Sequence, residues 1–274
     1  MNKKTMLAIS ALCATVAVQA KAADTLVSSD VVGYNTTAIK GGKMNLLCVS
    51  WETVGNAEGK ATLNDVMDTS LLTTYSADGE TAGDYLYTWN MEAGNWGPTY
   101  YYVDQAVAWE DAAYADTWMD SNFTPCNPAV EPGSAFWLYA NKDIASFSFR
   151  GQVMTDGTAY TLTAGKMNLC ANPYPMALNL NDKTQVTLTG KTSYSADGDT
   201  AGDYIYTWDL STGNWGPTYY YVDQAVAWED ASYADTWMDG NFTPVATTAI
   251  PVGSGFWYNA NAPVTLTFTS PISK

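Results

Sequence analysis

Two short acidic loops are the first places in this chain where residue type and spacing suggest chemistry. Asp78-Gly79-Glu80-Thr81-Ala82-Gly83-Asp84 and Asp197-Gly198-Asp199-Thr200-Ala201-Gly202-Asp203 carry carboxylates at loop positions 1, 3 and 7. On a loop that two glycines allow to turn tightly, such carboxylates can wrap a hard cation such as Ca²⁺. The loop is not an EF-hand: its fifth residue is alanine and its twelfth is Trp89 or Trp208. Calcium is therefore the one cofactor to consider, with Asp78, Glu80, Asp84, Asp197, Asp199 and Asp203 as candidate ligands. A solvated acidic turn is the competing reading.

Aromatic residues are the second candidates. Trp89, Trp96, Tyr100, Tyr101, Tyr102, Trp109, Tyr114 and Trp118 recur as Trp208, Trp215, Tyr219, Tyr220, Tyr221, Trp228, Tyr233 and Trp237. A flat aromatic face beside carboxylates and amides suits a sugar ring. The same side chains are also what a small β-domain buries to be stable, each removing roughly 150–250 Å² from water. The candidate ligand-binding residues are Trp96 with Tyr101, and Trp215 with Tyr220, both pairs lying on a strand that follows a glycine turn. Five positions separate the members of each pair, so on an unbroken strand they face opposite sides. They share a face only if Gly97-Pro98, and Gly216-Pro217 in the second pair, interrupt the pleat.

Catalysis has less to stand on. Trp109-Glu110-Asp111 and Trp228-Glu229-Asp230 bring carboxylates together, as a glycosidase site requires. Neighbours on a strand point apart, so neither dipeptide is a catalytic pair by itself. The chain has no histidine, which removes Ser-His-Asp and Cys-His nucleophiles and every His-dependent zinc site. No catalytic residue is assigned.

The elements that would position these groups come in duplicate. Tyr75 to Pro125 and Tyr194 to Pro244 are the same 51-residue text with eight substitutions. Gly42 to Leu46 returns as Gly165 to Leu169, and Gly133 to Trp137 as Gly253 to Trp257, with Gly255 in place of Ala135. The expected organisation is a leader over 1–23 and two β-domain repeats, 24–150 and 151–274, abutting without a linker. Asp84 to Asn90 alternates as a half-buried strand. Glu92 to Asn95 is a turn, and Trp96 to Val103 returns as the second arm of a hairpin. Phe136 and Leu138 share one face of a later strand. Trp137 and Tyr139 occupy the other, which reads as the wetter face because the second copy places Asn259 there. Val264, Leu266 and Phe268 line a last strand. The expected fold class is all-β, two tandem sandwich-like domains.

The second copy runs from Asn168 to Pro175, ending in Asn-Pro-Tyr-Pro, then through Tyr206-Thr207-Trp208-Asp209, then from Pro251 to Trp257, ending in Gly-Phe-Trp. In these segments it resembles a module of secreted and surface proteins of Gram-negative bacteria. The first copy departs from the pattern, with Val49-Ser50-Trp51-Glu52 at the corner. The resemblance implies a β-fold and an accessory or surface role, and it carries over no site residue.

Lys3 and Lys4, the apolar run Met6 to Val18 and the small residues around Ala20 and Ala22 read as a secretory signal peptide. The whole chain has a net charge of −16. Without Lys3, Lys4 and Lys21 it has nine basic and 28 acidic side chains, a net charge of −19. That excess disfavours nucleic acid and anionic membranes as partners. Outside the leader Cys48, Cys126 and Cys170 are an odd number and read as small buried side chains, with a Cys48–Cys170 bridge as the other reading. The sequence thus points to a secreted, non-catalytic structural or adhesive protein of the envelope or extracellular space, without membrane insertion. Two further readings remain. In one, a bivalent carbohydrate-binding protein presents its site twice to polysaccharide. In the other, the chain is a carboxylate-dependent glycosidase.

Overall fold

A computed structural model describes residues 31–54, 61–75, 82–90, 93–103, 117–195, 201–223, 233–245 and 250–272. From Val32 onward the chain is one compact unit. In the first half the strands are β1 (Val32–Ile39), β2 (Lys43–Cys48), β3 (Ala61–Thr62), β4 (Tyr85–Asn90), β5 (Asn95–Val103), β6 (Thr117–Met119), β7 (Pro125–Cys126), β8 (Ala129–Val130), β9 (Ala135–Ala140) and β10 (Ile144–Gln152). A helical turn α1 (Leu63–Val66) and a 3-10 turn (Thr69–Leu71) interrupt them. The second half contains β11 (Thr158–Leu162), β12 (Lys166–Ala171), β13 (Val186–Thr189), β14 (Tyr204–Asp209), β15 (Asn214–Val222), β16 (Thr236–Met238), β17 (Gly255–Ala260) and β18 (Val264–Phe268). The architecture is all-β. Among the described residues no helix is long and apolar enough to cross a membrane.

Each half has its own sheet system, and the two follow one plan. The main sheet of the first half has the order β2-β9-β4-β5-β6-β7, and that of the second β12-β17-β14-β15-β16. Registers agree: Lys43 pairs with Ala140 and Lys166 with Ala260, Tyr85 with Tyr101 and Tyr204 with Tyr220. A second layer also closes on itself in each half, with the first strand pairing the last: β1 with β10, and β11 with β18, to which β13 adds. β10 runs through Arg150-Gly151 and pairs with β1 as far as Gln152.

Alternation explains which face is buried. Leu86, Phe136 and Leu138 point into the first half's own core, where Phe136 meets Phe149 of β10 and where Leu63 and Val66 of α1 are also buried. Val264, Leu266 and Phe268 are buried in the second half, as their alternation predicts. A pair of asparagines holds the turn before β2 and before β12. Fully buried Asn45 accepts from the Lys40 amide and donates to the Lys40, Lys43 and Leu138 carbonyls. Asn168 does the same with Thr163, Lys166 and Tyr258. Burying an amide side chain is tolerable only with this degree of satisfaction.

The opposite face was expected to be the wetter one, and the structure corrects this for its tryptophans. Trp137 and Trp257 are only 7% and 8% exposed, because the other half of the chain covers them. Tyr139 and Asn259, farther along, are half-buried. The seam between halves brings β2 against β17 and β12 against β9. The Cys48 amide donates to the Gly253 carbonyl at 3.0 Å and the Ser50 hydroxyl to the Asn172 carbonyl at 2.8 Å. Buried Cys48 and Cys170 are free thiols, with burial pushing Cys48 up to about 11 and Cys170 higher still.

Candidate functional site

The two hairpins, β4–β5 and β14–β15, carry most of the residues that sequence singles out. In the first, Tyr87 pairs with Thr99 but Trp89 pairs with Trp96, so a bulge falls at Gly97-Pro98. The second has the same bulge between Tyr206 and Trp208. A threonine closes each one: the Thr88 hydroxyl donates to the Pro98 carbonyl at 2.9 Å, and Thr207 to Pro217 at 2.7 Å. A Cβ at Gly97 or Gly216 would overlap that hydroxyl, so the bulge needs glycine. Its effect is to shift the pleat by one residue. Trp96 therefore joins Tyr85, Tyr87, Trp89 and Tyr101 on one face.

That face meets its counterpart across the seam. Trp89 lies 4.8 Å from Trp257, and Trp208 lies 4.7 Å from Trp137, both nearly perpendicular. Trp96 is 6.1 Å from Trp257, and Trp215 is 6.0 Å from Trp137. Lys166 reaches over the first hairpin turn to the Ala93 carbonyl at 3.0 Å, and Lys43 reaches the Thr212 carbonyl of the second at the same distance. Each of these contacts from the first half to the second recurs from the second to the first. Such reciprocity is the signature of a two-fold arrangement, here between two halves of one chain.

At this pseudo-axis the walls part into an open cleft of about 760 Å³. Six tryptophans line it: Trp89, Trp96 and Trp137 from one side, Trp208, Trp215 and Trp257 from the other. Tyr87, Tyr204 and Tyr206 supply phenols, and Met44 and Met167 fill the floor. Among the described residues no charged side chain lines it. Trp96 and Trp215 are 54% and 58% exposed, a large aromatic area left in water. The indole N–H groups of Trp89 and Trp208 are buried without a hydrogen-bond partner among the described residues. Each sits among perpendicular indoles, an arrangement in which an N–H can be met by a π face. Burial, followed by the nearby phenols Tyr87 and Tyr139, raises the Tyr85 pKa. Burial with Tyr206 does the same for Tyr204, so both are O–H groups at neutral pH.

The halves differ at the outer rims. Tyr85 stacks on Tyr139 at 4.9 Å and 11°. Asn259 stands at the matching position in the second half, and there Tyr204 lines the cleft instead.

The four ligand-binding candidates divide. Trp96 and Trp215 face one shared cleft. Tyr101 and Tyr220 lie on the same strand faces but farther out. Tyr101 is stacked on Phe123 at 5.9 Å, and Tyr220 is 6.0 Å from Tyr194. Sequence reasoning did not include Trp137 and Trp257 in the site. The available signal was a tryptophan kept in both copies on the face where the second copy tolerates Asn259.

Of the metal candidates, Asp78, Glu80, Asp197 and Asp199 lie outside the described residues, as do Glu110, Asp111, Glu229 and Asp230. Asp84 and Asp203 are fully buried. Asp84 accepts from the Thr73 and Asn141 amides and from the Asn141 side chain. Asp203 accepts from the Thr192 and Asn261 amides and from the Tyr258 hydroxyl. The end of each acidic loop is thus tied into the fold by its own carboxylate. Among the described residues no three His, Cys, Asp or Glu side chains converge as a metal site would need.

Comparison with protein-family models, with characterised proteins and with solved structures finds no match to this chain.

Proposed function

We propose that the protein is a secreted, non-catalytic binding protein of the cell envelope or extracellular space that adheres to neutral glycans through the cleft between its halves. The cleft carries the reading. Contiguous apolar surface that stays open to water on a folded chain marks a binding site, and this one consists of aromatic rings with phenol hydroxyls among them. A sugar ring offers an apolar C–H face to stack on tryptophan and hydroxyls to pair with Tyr87, Tyr204 and Tyr206. The uncharged lining favours a neutral ligand, and the chain's net charge of −16 repels anionic ones.

Three further elements belong to this reading. Residues 1–23 act as a cleaved signal peptide, supported by their basic, apolar and small-residue order. The halves descend from one duplicated β-domain, supported by shared text, strand order and register. The likeness to the Asn-Pro-Tyr-Pro and Gly-Phe-Trp module fits an accessory surface role. In this chain the strand ending that motif carries Trp257 into the cleft.

The test is electrophoresis of the mature chain through gels containing neutral or anionic polysaccharides, alongside the Trp96→Ala/Trp215→Ala double variant. Retardation by a neutral polysaccharide, lost in a double variant that melts like the parent, is the expected result. Retardation only by anionic polymers, or retention that survives loss of both tryptophans, would refute the proposal.

A further inference from the structure

We infer that the ligand is a long linear chain, gripped by the tryptophans at the centre and continued outward over two aromatic strips ending at Phe123 and Phe242. This rests on the glycan reading of the cleft and adds what kind of glycan it takes.

The first strip runs from Trp96 to Tyr87 at 6.0 Å, to Tyr85 at 5.4 Å, to Tyr101 at 6.2 Å and to Phe123 at 5.9 Å. The second runs from Trp215 to Tyr206 at 5.9 Å, to Tyr204 at 5.1 Å and to Tyr220 at 6.5 Å. Tyr194 then leads to Phe242 at 6.3 Å. No step exceeds the range over which aromatic rings form one continuous contact surface. Since the two strips start at opposite walls of one cleft, they form a single path across both halves.

The outer ends carry an independent sign of use. Phe123 and Phe242 are 44% and 42% exposed, and their φ angles are +57° and +59°. A bulky L-residue reaches that region only at a cost, and such strain tends to gather at functional positions. Here the fold enforces it twice by the same device. The Asp120 carboxylate accepts from the Asn122 and Thr124 amides, and Asp239 from Asn241 and Thr243. The turn holds a phenylalanine at the rim where a glycine or asparagine would sit without strain. A terminal sugar or a disaccharide would use only the tryptophan centre and leave these ends idle. A linear polymer would engage all of them.

Calorimetric titration with cello-, xylo- and manno-oligosaccharides, from disaccharide to hexasaccharide, tests this. Affinity should rise steeply with length in at least one series. The Phe123→Ala/Phe242→Ala variant should lose about tenfold for the hexasaccharide, the scale of two lost ring contacts, and bind the disaccharide as the parent does. The Trp96→Ala/Trp215→Ala variant should lose both. Equal affinity for short and long members, or no effect of the phenylalanine pair on the longest, would overturn the extended path while leaving the cleft as a glycan site. Absence of binding in every series, or binding of a proline-rich peptide instead, would overturn the glycan reading itself. Circular dichroism of each variant guards against misfolding. Should Phe123→Ala/Phe242→Ala unfold, Phe123→Leu/Phe242→Leu keeps the apolar bulk without the flat ring and must show the same length-dependent loss.

Discussion

The hairpins that wall the cleft are nearly the same in the two halves, and the layers behind them are not. The hairpins that wall the cleft come from the 51-residue text with eight substitutions, and four of those eight fall at 90–93 and 209–212. The seam tolerates changes there because Lys166 and Lys43 reach main-chain carbonyls, at Ala93 and Thr212, which any residue supplies. The outer layers are unlike: a two-stranded ribbon with α1 in the first half, a three-stranded sheet in the second. The two walls match, while the layers that support them are built differently.

The largest effect that could break this comparison is in the core. Trp237, 2% exposed, should cost about 3–5 kcal/mol on truncation to alanine. Trp215 of the cleft wall, more than half exposed, should cost less than about 1 kcal/mol. Urea denaturation of both variants checks this. Similar losses would mean that the wall tryptophans are structural and the cleft is incidental.

Next is the pseudo-axis, where a residue meets its own equivalent. A Cβ on Gly255 would stand 2.6 Å from the Ala135 Cβ and 3.1 Å from Leu46 Cδ1. Gly255→Ala should therefore cost about 1–3 kcal/mol through overpacking, and adding Ala135→Gly should restore most of it. If the two substitutions are simply additive, the halves do not meet as described.

Acid should then separate the halves. Partial burial works against the Asp235 charge. Hydrogen bonds from Lys183, Lys191 and Tyr221 outweigh it and hold the carboxyl well below the usual range. The positions 119 residues earlier than the two lysines are Asn64 and Leu72. A depressed carboxyl contributes stability that is present above its unfolded value, near 4, and lost as pH falls further. Melting temperature should fall below about pH 4 in the parent, and less steeply in Asp235→Asn. Solvent screening keeps the difference modest, since the Asp235 side chain is 49% exposed. Identical acid limbs would show that the cluster contributes nothing.

Smallest are the two lysines. Lys43→Met and Lys166→Met should each cost no more than about 1 kcal/mol, and Lys43→Met the more, because Lys43 donates to the Asn214 side chain as well as to the Thr212 carbonyl, whereas Lys166 donates to the Ala93 carbonyl. Equal losses in denaturation would show that the Asn214 bond adds nothing to the seam.

The hairpins were legible in the sequence because period-2 alternation and glycine turns act locally, and the bulge could be read from Gly97-Pro98. The closure of the two faces into one cleft was not, because alternation tells which residues share a face and not what that face meets. Tryptophans on a face read as wet were therefore buried by the other half. Asp84 and Asp203 read as ligands because they sit in acidic loops. Their partners, Asn141 and Asn261, are 57 and 58 residues away, beyond any local pattern.

A two-fold cleft offers a directional polymer two ways to lie, head to the left or head to the right. Between separate identical subunits those poses have equal energy, and the complex is a mixture of both. Here the axis runs through one polypeptide, and its rims are already unlike, with Tyr139 on one side and Asn259 on the other. A chain with a reducing end would meet a stacked pair of phenols at one rim and an amide at the other, so its polarity is no longer a coin toss. Joining the halves covalently is what lets the walls stay matched while the ends differ.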